Sequence, residues 1–400
     1  MAPAPPALWS PRLIIALDAR PLMTRKGGGA EQHARNIVAQ WAAMALPHQF
    51  LLLCDRRHTD EVKYDPSFVA ALPPNFHQTM GRGFTPALRW YLGSRVLDSL
   101  TRSLAHNNVA VYHSFTPAAP RIATCPVVQT IHDLSFELDP AVRERPESRS
   151  LRRLVRQGAL RAQRIVAVST QTKNDIASLY GVPEERISVV YNGINPVFTA
   201  HGDPEFRQEL RARHRIDCPY VIAVGSDIPR RNYARMLNAM ISVWKTNPRL
   251  RLLLAGQNDW RGTPVFRQAE TAGVRDRIIF VQGPTDAELA QLYRDAVLTC
   301  CASSFEGFGM SVLESMACGT PVTCSDMRSL HEVADDAALY FPHDDPETMG
   351  ESIGGLLEDV EYRRQLKYRG LARAEKFTWA TAARLVLAIL EDVGESTRNR

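Results

Sequence analysis

The sequence predicts an α/β protein made of two doubly wound, Rossmann-like domains facing an interdomain cleft, and three observations carry that prediction. Its 400 residues are too many for one ordinary hydrophobic core and suit two domains. Short apolar runs alternate with stretches of helical period along much of the chain, the rhythm of parallel strands joined by helical crossovers. That rhythm restarts after Asn192-Gly193-Ile194-Asn195-Pro196, whose Asn-Gly and Asn-Pro steps are the punctuation of a linker.

In the first half, Arg12–Asp18 reads as a buried parallel strand, apolar until it ends in polar residues. The glycine loop Gly27-Gly28-Gly29 follows, then a helix from Ala30 to about Met44. Further strands are expected at Phe50–Cys54, Val109–His113, Val127–Ile131, Arg164–Ser169 and Ile187–Tyr191. In the second half, strands fit Tyr220–Gly225, Leu250–Ala255, Ile278–Val281, Val297–Ala302 and Pro321–Cys324, with helices at Tyr233–Lys245, Asp286–Arg294 and Ser311–Ala317. The tail from Pro346 to Val393 is strongly helical. Leu385, Leu387, Ile389 and Leu390 give its last part an apolar face that needs a partner, for which the other domain is one candidate. The expected division is an N-terminal extension (1–11), a first domain (12–195), a second domain (196–376) and a C-terminal helix (377–400) packing back on the first domain.

Composition sets bounds on function. Hydrophobic content of 45% and charged content of 23% are those of an ordinary globular protein, and the net charge of +5 is mild. Only six of the 48 basic residues are lysine, and no basic tract interleaved with aromatics reads as a nucleic-acid platform. The seven cysteines form no C-x-x-C pair, so neither a metal-ligand spacing nor a disulfide framework is expected, and a reducing cytoplasm is. The stretch Met1–Arg12 lacks the basic and apolar regions of a signal peptide, and no segment approaches the ~20 apolar residues of a membrane span. A soluble or peripheral protein is expected.

Four constellations carry chemistry. The most informative is Ser303–Pro321, in which Glu306 and Glu314 bracket Gly307-Phe308-Gly309-Met310 before an apolar, Ala-rich helix. The glycines let backbone approach a ligand, a helix start offers unpaired N–H groups to an anion, and the carboxylates accept from hydroxyls. Together they describe a nucleotide-sugar site. Paired carboxylates also serve glycosidases, but those need no phosphate-binding turn. Val224-Gly225-Ser226-Asp227-Ile228-Pro229-Arg230-Arg231-Asn232 takes a strand into a loop with two arginines, whose forks match phosphate oxygens; a solvated loop is the plainer reading. The glycine loop at 27–29 could cradle a diphosphate or be a simple βα turn. His132, at the strand end Thr130-Ile131-His132-Asp133-Leu134-Ser135-Phe136, faces the crevice or caps a turn with Asp133. A fifth feature, the arginines 143, 145, 149, 152, 153, 156, 161 and 164, fits either a solvated helix face or a surface for anionic lipid.

Taken together, these residues resemble the GT-B family of retaining glycosyltransferases called family 4. The likeness spans most of the chain and adds Ile165-Val166-Ala167-Val168-Ser169 and Ile187–Ile194 to the motifs above. The resemblance implies that Gly28 and Gly29 approach the donor diphosphate and that His132 contacts the transferred sugar. It implies further that Arg230 and Arg231 neutralise the leaving diphosphate, Glu306 binds sugar hydroxyls and Glu314 the ribose. Backbone at Gly225, Ser226, Gly307, Phe308, Gly309 and Met310 would line the donor. The family usually has Arg-Lys where this chain has Arg230-Arg231, which keeps the charge and changes the geometry.

The implied reaction moves a sugar from a nucleotide-sugar donor to a saccharide or lipid-linked acceptor in polysaccharide assembly, with retention, without metal or cofactor, and with possible contact at the inner membrane face. The motifs look most like bacterial mannosyl- and rhamnosyl-type transferases, so a GDP-sugar such as GDP-mannose is the first expectation and a UDP-sugar the second. A non-catalytic nucleotide-binding paralogue is the third. A nucleotide-sugar epimerase of the same shape would show other acid–base residues. A nicotinamide dehydrogenase would need G-x-G-x-x-G after a strand, which Gly27-Gly28-Gly29-Ala30 does not supply.

Overall fold

The computed structural model describes residues 13–23, 28–55, 66–81, 104–257 and 259–398. It divides into two compact units: the first comprises the described residues up to Leu138, Arg143–Asn192 and the helix Trp379–Arg398, and the second Asp139–Val142 with Gly193–Thr378.

The first unit holds strands β1 (Ile14–Asp18), β2 (Gln49–Asp55), β3 (Phe76–Gly81), β4 (Val111–Ser114), β5 (Val127–Ile131), β6 (Arg164–Ala167) and β7 (Ile187–Val189). They form one parallel sheet in the order β3-β2-β1-β4-β5-β6-β7. The second unit holds β8 (Tyr220–Val224), β9 (Arg251–Gly256), β10 (Ile278–Gln282), β11 (Leu298–Cys301), β12 (Val322–Ser325) and β13 (Ala338–Phe341), parallel in the order β10-β9-β8-β11-β12-β13. Both orders reverse once, between β1 and β4 and between β8 and β11. Ligands of such sheets bind outside the carboxyl ends of the strands at that reversal.

Central strands are buried on both faces, which is why they read as continuous apolar runs. Val221 and Ala223 of β8 pack with Leu252 and Leu254 of β9 against Met236, Leu237 and Met240 of the helix Tyr233–Thr246, while the intervening Ile222 and Leu253 are equally buried. The helix Pro346–Glu358 lies beside Tyr233–Thr246 so closely that a Cβ on Gly350 would stand 3.3 Å from the Ala239 carbonyl. Two edge strands, β3 and β13, were not foreseen. His77 and Gln78 of β3 are exposed and break its apolar pattern, whereas β13 is a four-residue apolar run with Leu339 and Tyr340 half-buried. The expected strand Arg164–Ser169 stops at Ala167 because Ser169 caps the next helix, accepting from Thr172 N at 3.0 Å.

In the first unit Trp41 ties three elements. It is fully buried on the helix Gly29–Ala43, stacks on Phe50 of β2 at 5.5 Å, and donates Nε1 to the Ala383 carbonyl at 2.9 Å. Leu387 and Leu390, expected on an apolar face, are buried, whereas Leu385 is exposed. Trp41→Ala is expected to destabilise the first unit by about 3–5 kcal/mol, measured as a fall in the urea midpoint of its unfolding; a loss under about 1 kcal/mol would contradict the packing described.

Candidate active site

In the second unit the reversal between β8 and β11 gathers most of the expected residues. Past β8 the chain turns at Gly225, whose φ of +134° suits only glycine, and its carbonyl accepts from the Tyr233 hydroxyl at 3.0 Å. Gly256, at the end of β9, backs against the same carbonyl: a Cβ there would stand 2.4 Å from Gly225 O. The arginine loop ends at Asn232, held left-handed at φ +61°, whose Nδ2 donates to the carbonyls of Ala302 (3.1 Å) and His343 (2.6 Å). Asn232 thereby fastens the loop after β8 to the end of β11, and Ser304 N donates to the Arg230 carbonyl at 2.8 Å as a second tie.

The arginines close on Glu306. Arg231 Nη1 donates to Glu306 Oε1, and Arg230 Nη1 stands 3.5 Å from Oε2 and 3.2 Å from the Phe305 carbonyl. Ser303 Oγ donates to Glu306 Oε1 at 3.0 Å, and Ser329 Oγ donates to the Glu306 carbonyl at 2.7 Å. Burial alone would lower the Arg231 guanidinium; Glu306, with the Tyr233 phenol, holds it above its usual value. Arg231 Nε is buried without a hydrogen-bond partner. The result is a cationic pair with one buried carboxylate as its counter-ion.

Beyond Glu306, Gly307, Phe308 and Gly309 are buried, and Phe308 meets Phe377 edge-on at 5.9 Å. Gly309 has φ +107°, and a Cβ there would stand 2.5 Å from Leu330 Cδ2. It starts the helix Met310–Ala317 without a side-chain cap, so first-turn N–H groups remain for a ligand. Glu314 sits one turn in, 6% exposed, and accepts from the Tyr293 hydroxyl at 3.1 Å. Burial pushes its carboxyl up to about 8; Asp286 adds to that, and Tyr293 and Arg231 oppose it. The two carboxylates of one motif therefore lie in opposite environments.

In the first unit, Gly28 and Gly29 open the helix Gly29–Ala43, and no side chain caps it; Gly27 lies outside the described residues. A Cβ on Gly29 would meet nothing within 4 Å. His132 follows β5 directly, and its Nε2 donates to the Phe115 carbonyl at 3.0 Å, which leaves Nδ1 as the acceptor nitrogen of the neutral ring. Burial lowers its pKa, so the neutral ring is the resting form. His33 stands edge-on to it at 5.1 Å, fully buried, and donates Nδ1 to Asn192 Oδ1 at 2.8 Å. Burial and His132 bring the His33 pKa down to about 3. At the β1–β4 reversal, Asp18 is bound by Arg20 through Nε (2.8 Å) and Nη2 (2.5 Å), with Thr116 beside it.

Sequence reasoning missed Tyr293, Ser303 and Asn232 beside Glu306 and Glu314 in the second unit, and His33 beside His132 in the first. Ser303 and Asn232 were inside the motifs singled out. Tyr293 and His33 sit on apolar helix faces, where a polar tip is indistinguishable from core.

Two family models divide the chain between them. "Glycosyltransferase Family 4" matches residues 27–198 and "Glycosyl transferases group 1" matches residues 206–373. The chain belongs to glycosyltransferase family 4. Among curated relatives, this family 4 chain is 28% identical over 253 residues to O-antigen chain mannosyltransferase B of Escherichia coli, covering 63% of this chain and 66% of the relative. It is 30% identical over 272 residues to D-inositol 3-phosphate glycosyltransferase of Segniliparus rotundus, covering 66% and 60%. The chain thus spans between three fifths and two thirds of these relatives' length. Among solved structures it resembles Anabaena HepE in complex with UDP and glucose, with a TM-score of 0.72, 18% identity and coverage of 95% and 99%. It also resembles WaaG, a glycosyltransferase involved in lipopolysaccharide biosynthesis, with a TM-score of 0.71, 17% identity and coverage of 94% and 99%. At these identities the structures bear on the fold, which is GT-B.

The glycine at the end of β8 in this family 4 chain offers a direct test of the arginine geometry. A Cβ on Gly225 would stand 2.7 Å from Arg231 Nε. Gly225→Ala is expected to weaken inorganic pyrophosphate binding by about tenfold or more, measured by calorimetry. Gly354→Ala, in a helix with nothing within 4 Å of the added methyl, should bind as the wild type does. Equal affinity for both variants would contradict the placement of Arg231 over Gly225.

Proposed function

We propose that the protein transfers a sugar, with retention and without a metal, from a nucleotide-sugar donor to a saccharide or lipid-linked saccharide acceptor in cell-surface polysaccharide assembly. One observation carries this: at the β8–β11 reversal, two arginines converge on one buried carboxylate, and a second carboxylate lies eight residues on in an uncapped helix. Arg230 and Arg231 would take the diphosphate, and the N–H groups of Gly309 and Met310 would lie near sugar and phosphate. As the glycosidic bond breaks, charge grows on the departing diphosphate, and fixed cations with oriented amides stabilise that transition state without reorganising. The backbone at Gly225, Ser226, Gly307 and Phe308 would line the donor, and Gly28 and Gly29 would contribute from the first unit. His132, neutral with Nδ1 as acceptor, would take a hydrogen bond from a sugar hydroxyl.

For the donor, GDP-mannose is favoured, because the relatives include mannosyltransferases of O-antigen chains. A UDP-sugar is the second reading, favoured by the likeness to HepE, whose structure holds UDP and glucose. Thermal stabilisation by GDP, UDP or ADP separates these, a ligand at 100 times its Kd adding about 2.7 kcal/mol. Turnover unchanged by EDTA is expected; no turnover with any donor would leave a nucleotide-binding paralogue.

The protein is further proposed to work in the cytoplasm, touching the inner membrane face. Arg143, Arg145, Arg149, Arg153, Arg156 and Arg161 are exposed on and beside the helix Pro146–Arg161, next to an exposed Leu160, a surface fit for anionic headgroups.

Glu306 is the residue to test. In the structure it neutralises the cations that a diphosphate would need, so the ligand must displace it or share them. Glu306→Gln is expected to lower kcat by about a hundredfold and to tighten nucleoside diphosphate binding several-fold, because an uncompensated buried cation favours an incoming anion. Unchanged turnover would refute the catalytic assignment. Weaker nucleotide binding would refute the competition between Glu306 and the diphosphate.

A further inference from the structure

Tyr293 belongs to none of the motifs that mark the site. It lies on the helix Asp286–Asp295, fully buried, with its ring edge-on to Phe198 at 6.2 Å. That helix is set by a capping box: Glu288 N donates to Thr285 Oγ1, and the Glu288 carboxylate accepts from Thr285 N. Its far end is tied to the segment after the Glu314 helix, because Thr320 Oγ1 donates to the Tyr293 carbonyl at 2.6 Å. Ser315 Oγ in turn donates to the Thr320 carbonyl at 3.2 Å and stands 2.7 Å from Thr299 Oγ1 of β11. The helices bearing Tyr293 and Glu314 are therefore tied together by hydroxyl-to-carbonyl hydrogen bonds.

A phenol held this firmly fixes whatever it bonds. Its hydroxyl donates to Glu314 Oε2 at 3.1 Å, the one side-chain hydrogen bond that Glu314 makes among the described residues. That bond engages Oε2 alone, and the 6% of the Glu314 side chain that stays exposed leaves Oε1 as the oxygen for a ligand to meet.

We infer that Tyr293 is the positioning residue of the nucleotide site: by donating to Oε2, it fixes the Glu314 carboxylate and leaves Oε1 to accept from the ribose hydroxyls of a nucleoside diphosphate. The inference rests on the reading of Glu314 as the ribose-binding carboxylate. Glu314 must be ionised to accept at both oxygens, and burial works against that. The groups that face it are few. Asp286, on the helix of Tyr293, disfavours the charge, and Arg231, on the loop after β8, favours it. Cys318 and Cys301 lie near the phenol, which burial and Glu314 keep protonated and hence a donor. The Tyr293 hydrogen bond is the larger of the two influences that favour the carboxylate. Removing it leaves the acid protonated over a wider pH range, so ribose recognition should come in at higher pH.

The test compares full-length wild type, Tyr293→Phe and Glu314→Gln for binding of GDP, UDP and inorganic pyrophosphate across pH 6.5 to 9. In the wild type, nucleoside diphosphate affinity relative to pyrophosphate should rise with pH through about 8, as Glu314 ionises; this measurement needs no variant. Tyr293→Phe should weaken the nucleoside diphosphate about tenfold at pH 7, move that rise to higher pH and leave pyrophosphate unchanged. If Glu314→Gln weakens the nucleoside diphosphate and Tyr293→Phe does not, Tyr293 has no positioning role. A Tyr293→Phe that weakens both ligands alike overturns the inference too, because the effect would be one of packing. If Glu314→Gln leaves nucleoside diphosphate binding intact, the ribose reading itself fails.

Discussion

An all-parallel sheet returns every strand to the same edge, and the rest of this protein follows from that constraint. Parallel strands need a crossover between them, and helical crossovers bury both faces of the sheet. Side chains within the strands are then committed to the core, as Ile222 and Leu253 are on one face of the second sheet and Val221 and Leu252 on the other. Chemistry is left to the loops past the carboxyl ends. Where the strand order reverses, two neighbouring loops diverge and leave room between them. Arg231 and Glu306 stand there because one follows β8 and the other β11, strands adjacent in space though 75 residues separate the partners in sequence.

Within that space, electrostatics divides the labour between two carboxylates of a single motif. Glu306 is held by two guanidinium groups and a serine hydroxyl, so its charge is compensated as it stands. Glu314 is buried beside a phenol, and its charge is the costlier one. The same residue type thus supplies a resident counter-ion at one position and an adjustable acceptor at the other, a separation achieved by environment alone. Glycines at 225, 256 and 309 serve this arrangement sterically, since a methyl at each would strike Arg231, the Gly225 carbonyl or Leu330.

Much of this was legible in the sequence, for physical reasons. Inner strands such as β8 and β9 announce themselves because double burial favours long apolar runs. Edge position alone does not hide a strand, since β7 and β10 lie at edges and were expected; β3 is broken by His77, Gln78 and Thr79, and β13 is only the four residues Ala338–Phe341. Motif residues that touch one another within a loop could be read as a unit. Long-range partners could not: nothing local tells that the Tyr293 hydroxyl meets a carboxylate 21 residues later, or that Asn232 reaches the carbonyls of Ala302 and His343. Those bonds are products of strand order, and spacing along the chain does not encode them.

The path of the chain through its two units also bears on how the protein is made. Trp41, on an early helix, gives its indole hydrogen to Ala383, and His48 pairs with Glu391 at 2.9 Å, so the first core is closed by residues synthesised after the whole of the second unit. The second unit, by contrast, is encoded in one nearly continuous block. On the ribosome, the usual order of completion, N-terminal domain first, is therefore reversed. The second unit can finish while the first waits, its helix Gly29–Ala43 lacking a partner, until the segment from Trp379 onward emerges. A chaperone that shields nascent apolar surface would find its longest-lived target in the first unit, although that unit is translated first.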